Sequence, residues 1–151
     1  MINSHKELID ELVVWVAKMP LINEFKYLRS IDSIAEDILN SEPRTFVVGL
    51  DGVQFDDKNY NVNLRYRFAI ADRCLSTTET ILVSETENIF ILSALADYLS
   101  YIKDTEFSLT DIDFSTESDT DSSYVSAFGT FSFVVKRSPS FWTGTSSEYE
   151  V

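Results

Sequence analysis

The sequence predicts an α+β protein, an antiparallel β-sheet with helices packed on one face. Three observations carry that expectation. Residues 60–70, YNVNLRYRFAI, alternate apolar or aromatic residues with polar ones, the period of a strand with one oily and one polar face. Residues 124–136, YVSAFGTFSFVVK, put Val125, Ala127, Phe131, Phe133 and Val135 on one face with Gly129. Two other stretches carry apolar residues at helical spacing behind a Ser-x-x-Glu capping box, Ser4 to Glu7 and Ser84 to Glu87. Helices gathered on one side of an antiparallel sheet define the α+β class.

The first helix is expected over residues 5–19, with Leu8, Leu12, Val16 and Met19 on its apolar stripe and Pro20 as its stop. Residues 21–29 allow a short strand, since Phe25 and Tyr27 alternate with Glu24 and Lys26. Ile31, Ile34, Ala35 and Ile38 return to helical spacing and predict a short second helix, or a helical turn inside a long connection, ended by Pro43. Phe46, Val48 and Leu50 share one face of a strand over 44–50. Asp51-Gly52 and residues 56–59 read as turn signals before the strand at 59–71. Two adjacent strands joined by a polar loop pair antiparallel.

Residues 75–83 read as a loop or a short edge strand, and the main helix is expected over 85–102, apolar over more than half its circumference. Phe107 and Leu109 have one parity, Ile112 and Phe114 the other, which predicts a bulge or bend in a strand over 106–115. Residues 116–123 form a polar hairpin loop before the last strand. The domain is drawn at 1–137, and 138–151, SPSFWTGTSSEYEV, as an extended C-terminal arm or tail.

Composition narrows the function. A chain of 151 residues is one domain and can bury roughly 68–70% of its unfolded surface. Twelve basic against 25 acidic residues leave a net charge of −13. Such a surface repels phosphate backbones, so specific nucleic-acid binding is not expected. Cys74 is the only cysteine, which excludes an intrachain disulfide and reads as a small buried hydrophobe. The N-terminus lacks the pattern of a signal peptide, and no apolar run approaches the roughly 20 residues of a membrane span.

No catalytic, cofactor or metal site is expected. His5 is the only histidine and is placed as a solvated residue in the first helical turn, which removes His-based triads and multi-His zinc sites. The four glycines do not cluster into a phosphate-binding loop. Asp111, Asp113, Glu117, Asp119 and Asp121 form an acidic run with no Lys or Arg from 104 to 123, but Tyr124 stands where a calcium loop needs glycine. The run is expected to be a solvated acidic surface.

Two sets of residues point to contact with another chain. Asn61, Asn63, Arg65 and Arg67 make a polar strand face carrying two arginines, and arginine pairs bidentately with carboxylates. The acidic run of a neighbour is the complementary patch, and a contact between two different patches can close into a ring. Phe141 and Trp142 supply aromatic anchors for an arm reaching a neighbouring subunit.

In length and element order, over roughly residues 4–137, the chain resembles the tail-terminator and neck (head–tail connector) proteins of tailed bacteriophages. The resemblance is one of order, with no diagnostic residue string. It implies a tail-terminator-like fold and a non-enzymatic virion structural protein, assembled in the host cytoplasm. Its subunits would form a ring of six or twelve at the head–tail junction, between neighbouring neck and tail proteins. DNA would pass through the channel without being bound, and no membrane or cofactor is implied. The alternative is an acidic protein-binding module that recognises a basic partner.

Overall fold

Ser4 starts the first helix as its side chain accepts a hydrogen bond from the Glu7 N–H at 3.1 Å, so the capping box works as read. In the computed structural model, which describes residues 4–28, 43–56, 60–102, 107–118 and 121–136, this helix α1 runs His5–Lys18. It buries Leu8, Leu12 and Val16 and ends just before Pro20. The strands are β1 (Glu24–Tyr27), β2 (Thr45–Asp56), β3 (Asn61–Leu75), β4 (Phe107–Ser118) and β5 (Ser122–Lys136). A second helix, α2 (Thr78–Ile102), joins β3 to β4. The predicted helix at Ile31–Asn40, the loop at 57–59 and the 138–151 arm lie outside the described residues.

The strands form one sheet in the order β1-β2-β3-β5-β4. The α+β class holds, but the sheet is mixed: β1 pairs parallel to β2, and every other pair is antiparallel. Chain connectivity explains this correction. Parallel neighbours need a long crossover, and residues 28–44 supply one between β1 and β2, whereas the other pairs are reached by hairpins or through α2.

The strand faces divide as alternation requires. Phe46, Val48, Val62, Leu64, Tyr66, Phe68, Ile70, Ala127, Phe131, Phe133 and Val135 face the helices in one buried cluster with Leu8, Leu12, Val16, Ile91, Leu92, Leu95 and Leu99. Each large apolar side chain buried there contributes about 1.5–3 kcal/mol relative to exposure. Aromatic rings cross the sheet through this layer: Phe46 stacks on Phe68 at 5.9 Å and Tyr66 on Phe131 at 5.0 Å. Trp15 stacks on Tyr98 at 5.6 Å, and the Tyr98 hydroxyl donates to the Glu11 carbonyl and carboxylate, tying α1 to α2.

The parity switch in β4 is a bulge. Thr110 pairs with Thr130 and Asp113 with Phe128, so Asp111 and Ile112 together oppose Gly129. A β-carbon at Gly129 would collide with the Phe68 ring and the Ile112 side chain, so glycine is what lets those two side chains meet over β5.

Three boundaries differ from the sequence reading. Helix α2 begins at Thr78, with Thr77 accepting from the Thr80 N–H, so Ser84 and Glu87 sit inside the helix rather than capping it. Strand β2 runs straight through Asp51-Gly52 to Asp56, with a register shift between Leu50 and Gly52 in place of a turn. Strand β4 extends to Ser118 and leaves a shorter hairpin before β5.

Candidate functional site

The arginine face of β3 is built by that β2 irregularity. Leu50 opposes Tyr66 and Gly52 opposes Arg65, so Asp51 is the extra residue. Its carboxylate lies 3.2 Å from Arg65 Nε and 3.7 Å from an Arg67 guanidinium nitrogen. Gly52 leaves room beside it: an added β-carbon would stand 3.1 Å from the Arg65 guanidinium. The nearest complement to these arginines is therefore in the same chain. One carboxylate faces two guanidinium groups, however, and both arginine side chains remain about half exposed.

Asn61 and Asn63 continue this face at intermediate exposure, and Asn63 Oδ1 is buried with no hydrogen-bond partner among the described residues. The other end of the same sheet face is not polar surface as expected: Thr45, Val47, Ala69 and Ala71 are buried there. Asp113 and Glu117 lie opposite Phe128 and Tyr124 and so share the arginine face, two strands away across β5. Both are exposed, as is Asp121. Asp111 lies at the β4 bulge, and Asp119, Phe141 and Trp142 fall outside the described residues.

Beyond Val48, β2 has no outer neighbour among the described strands. Strand β1 pairs only with Thr45–Val48, and no described strand pairs with the outer edge of residues 49–56. On this segment Leu50, Val53 and Phe55 point to the helix side of the sheet, yet Phe55 is 54% exposed and Val53 44%. Tyr60, at the start of the return strand, is 64% exposed with a positive φ of 54°. An open edge with an apolar face is a template for another chain, since its backbone donors and acceptors want partners.

A second cluster was not foreseen. Arg44, just before β2, is only 4% exposed. Its Nε donates to Asn88 Oδ1 at 2.9 Å, and its terminal nitrogens donate to Glu87 Oε2 at 2.7 Å and Asp72 Oδ2 at 2.9 Å. Ser84 Oγ also donates to Asp72 at 2.7 Å, and Asn88 Nδ2 donates to the Val125 carbonyl at 3.1 Å. Five polar side chains thus clamp α2 onto β2, β3 and β5. The available signal was Ser84 and Asn88 at i and i+4, continuing the line of Ile91 and Leu95 on the buried stripe of α2.

Beside the clamp is a cleft of about 300 Å³ lined by Asp72, Cys74, Glu79, Thr80, Val83, Ser84 and Glu87. In it the Ser84 hydroxyl donates to the Asp72 carboxylate at 2.7 Å, as part of the clamp. The Cys74 thiol, partly exposed rather than buried, is pushed to a higher pKa by desolvation, which disfavours the thiolate. Asp72 and Glu87 are already committed to Arg44. Among the described residues no three His, Cys, Asp or Glu side chains gather as a metal site.

His5 is also corrected. It is half-buried, with Nδ1 2.9 Å from the hydroxyl of buried Tyr66 and Nε2 3.1 Å from that of Tyr27. Desolvation lowers its pKa below 6.5, and burial raises that of Tyr66 above the usual phenol range. A neutral imidazole can donate to one hydroxyl and accept from the other, and so fastens the first turn of α1 to β3 and β1.

No protein-family model matches this sequence, and no curated protein is similar enough to count as a relative. Among the described residues, no helix is long and apolar enough to cross a membrane.

Proposed function

We propose that this chain is a non-enzymatic virion structural subunit that forms a ring of six or twelve at a phage head–tail junction. In this reading it is assembled in the host cytoplasm between neck and tail proteins. The observation that carries it is the edge of β2 over residues 49–56, which no described strand covers, with Leu50, Val53 and Phe55 exposed on the helix side of the sheet. A free edge with an apolar face is costly on a monomer, and contact with a neighbour removes that cost. The half-exposed Arg65 and Arg67, held among the described residues by the Asp51 carboxylate, have capacity for a second carboxylate from an adjacent subunit. A net charge of −13 suits a channel that DNA must traverse without adhering.

The test is light scattering over a concentration series, with negative-stain images of the largest species, on the native chain, Phe55→Asp and the Arg65→Glu/Arg67→Glu pair. Closed rings with an open centre, lost in both variants, are the expected result. A native chain that stays monomeric throughout, indistinguishable from both variants, overturns self-assembly through this edge.

A further inference from the structure

We infer that the outward face of α2 is a docking surface for a cationic amphipathic helix. This inference does not depend on the ring reading, because the surface lies on a different element. Leu82, Val83, Ile89 and Phe90 are between 51% and 57% exposed, although the opposite side of α2 is fully engaged in the core. At 3.6 residues per turn these four side chains, with Thr86 between them, fall on one stripe. Within it is a shallow depression of about 280 Å³ lined by Glu79, Leu82, Val83, Thr86 and Glu87, room for an apolar anchor side chain. A contiguous apolar surface rimmed by polar groups marks an interaction site more often than a solvated face.

The rim identifies the partner. The same helical geometry puts Glu85 and Glu87 on the two long edges of the stripe and Glu79 and Asp97 at its two ends. Helix α2 contains no lysine or arginine. The stripe is thus framed on every side by carboxylates, and Arg44 neutralises only Glu87 among them. A second copy of this face would bring like charges together, which disfavours two-fold pairing of α2 with itself. An anionic lipid surface is repelled for the same reason. An amphipathic helix with apolar residues at i, i+3, i+4 and i+7 and Lys or Arg along its flanks meets both the stripe and the rim, docking ridge into groove.

The experiment is a fluorescence-anisotropy titration of the full chain with a labelled helical peptide of about 18 residues, Leu along one face and Lys elsewhere, beside a twin with Glu for Lys. The Lys peptide is expected to bind, more weakly as salt rises, and the Glu twin is not. Phe90→Ser should weaken binding about tenfold or more, and Glu79→Gln/Glu85→Gln severalfold with a flatter salt dependence. Both sets of changes lie at surface positions outside the Arg44 clamp, so unaltered thermal melts confirm that folding is intact. Equal binding of the two peptides, or none at about 100 μM, overturns the inference, as does a Phe90→Ser change that alters only the chain's own oligomeric state.

Discussion

Two arginine sites divide the labour of this molecule. Arg44 is buried, its guanidinium spread over Asp72, Glu87, Asn88 and the Ser84 carbonyl, so each of its nitrogens has a partner. Arg65 and Arg67 stand half in solvent and share one Asp51 carboxylate. The first arrangement is closed: it fixes α2 on the sheet and has nothing left to offer a ligand. The second is open, with more donors than acceptors on a face that also carries Asp113 and Glu117. The difference teaches that an arginine's function follows from how completely its donors are matched within the chain, not from its charge.

The contrast is broken most severely at Arg44. Truncation to Ala leaves Asp72 and Glu87 facing each other near a buried Asn88 without the cation, and breaking a buried pair this way costs about 3–5 kcal/mol. Urea denaturation should show the midpoint fall by that free energy divided by the m-value. Replacing the ensemble together, Arg44→Met with Asp72→Asn and Glu87→Gln, should recover part of the loss, because no unpaired charge remains. If Arg44→Ala costs no more than Arg65→Ala, the distinction between the sites fails.

Packing rather than charge sets the next effect. Gly129→Ala inserts a methyl where the Phe68 ring and Ile112 already meet, and overpacking of this kind costs about 1–3 kcal/mol. Pairing it with Ile112→Ala should relieve part of the clash, so the double variant should be more stable than the sum of the two single losses. Additive losses would instead place the strain at Phe68.

The bulge that makes this contact was legible in the sequence, from the change of apolar parity between Leu109 and Ile112. So were the faces of β3 and β5 and the cap of α1, because each rests on a local pattern of alternation or hydrogen bonding. What escaped was set by partners far along the chain. The Ser84 to Glu87 string has the form of a helix cap, but Asp72 and Arg44 claim those side chains, and Thr77 caps the helix seven residues earlier. Asp51-Gly52 has the form of a turn, but pairing with β3 keeps the strand running and turns the pair into a seat for Arg65. The parallel placement of β1 depends on a long crossover and leaves no mark within four residues. His5 looked solvated because its two tyrosine partners are 22 and 61 residues away.

His5 offers a smaller, pH-dependent effect between the two arginine extremes. Its folded pKa lies below 6.5 because burial disfavours the imidazolium, so the unfolded chain binds the proton more readily. Stability is therefore full above that value and declines as pH falls through 6.5 toward the folded pKa. His5→Gln keeps a neutral group that can donate and accept, and should flatten this part of the profile. Urea midpoints of the two proteins at about pH 8 and pH 5 check it, and an equal decline in both would remove His5 from the account.

The smallest effect on folding is expected at Arg65, and that smallness is informative. A double-mutant cycle between Asp51→Asn and Arg65→Gln should give a coupling of about 0.2–1 kcal/mol that shrinks with added salt, as for exposed pairs generally. Loss of the half-exposed arginine should therefore leave the monomer almost as stable as before, whereas in the proposed assembly the same group meets a neighbour's carboxylate and becomes desolvated. Arg65→Gln/Arg67→Gln should thus separate the two properties, with a thermal midpoint close to that of the native chain and a weakened oligomer. A coupling as large as that of the Arg44 clamp, with assembly unchanged, would make Asp51 the whole purpose of the arginines and return this face to the interior economy of a single chain.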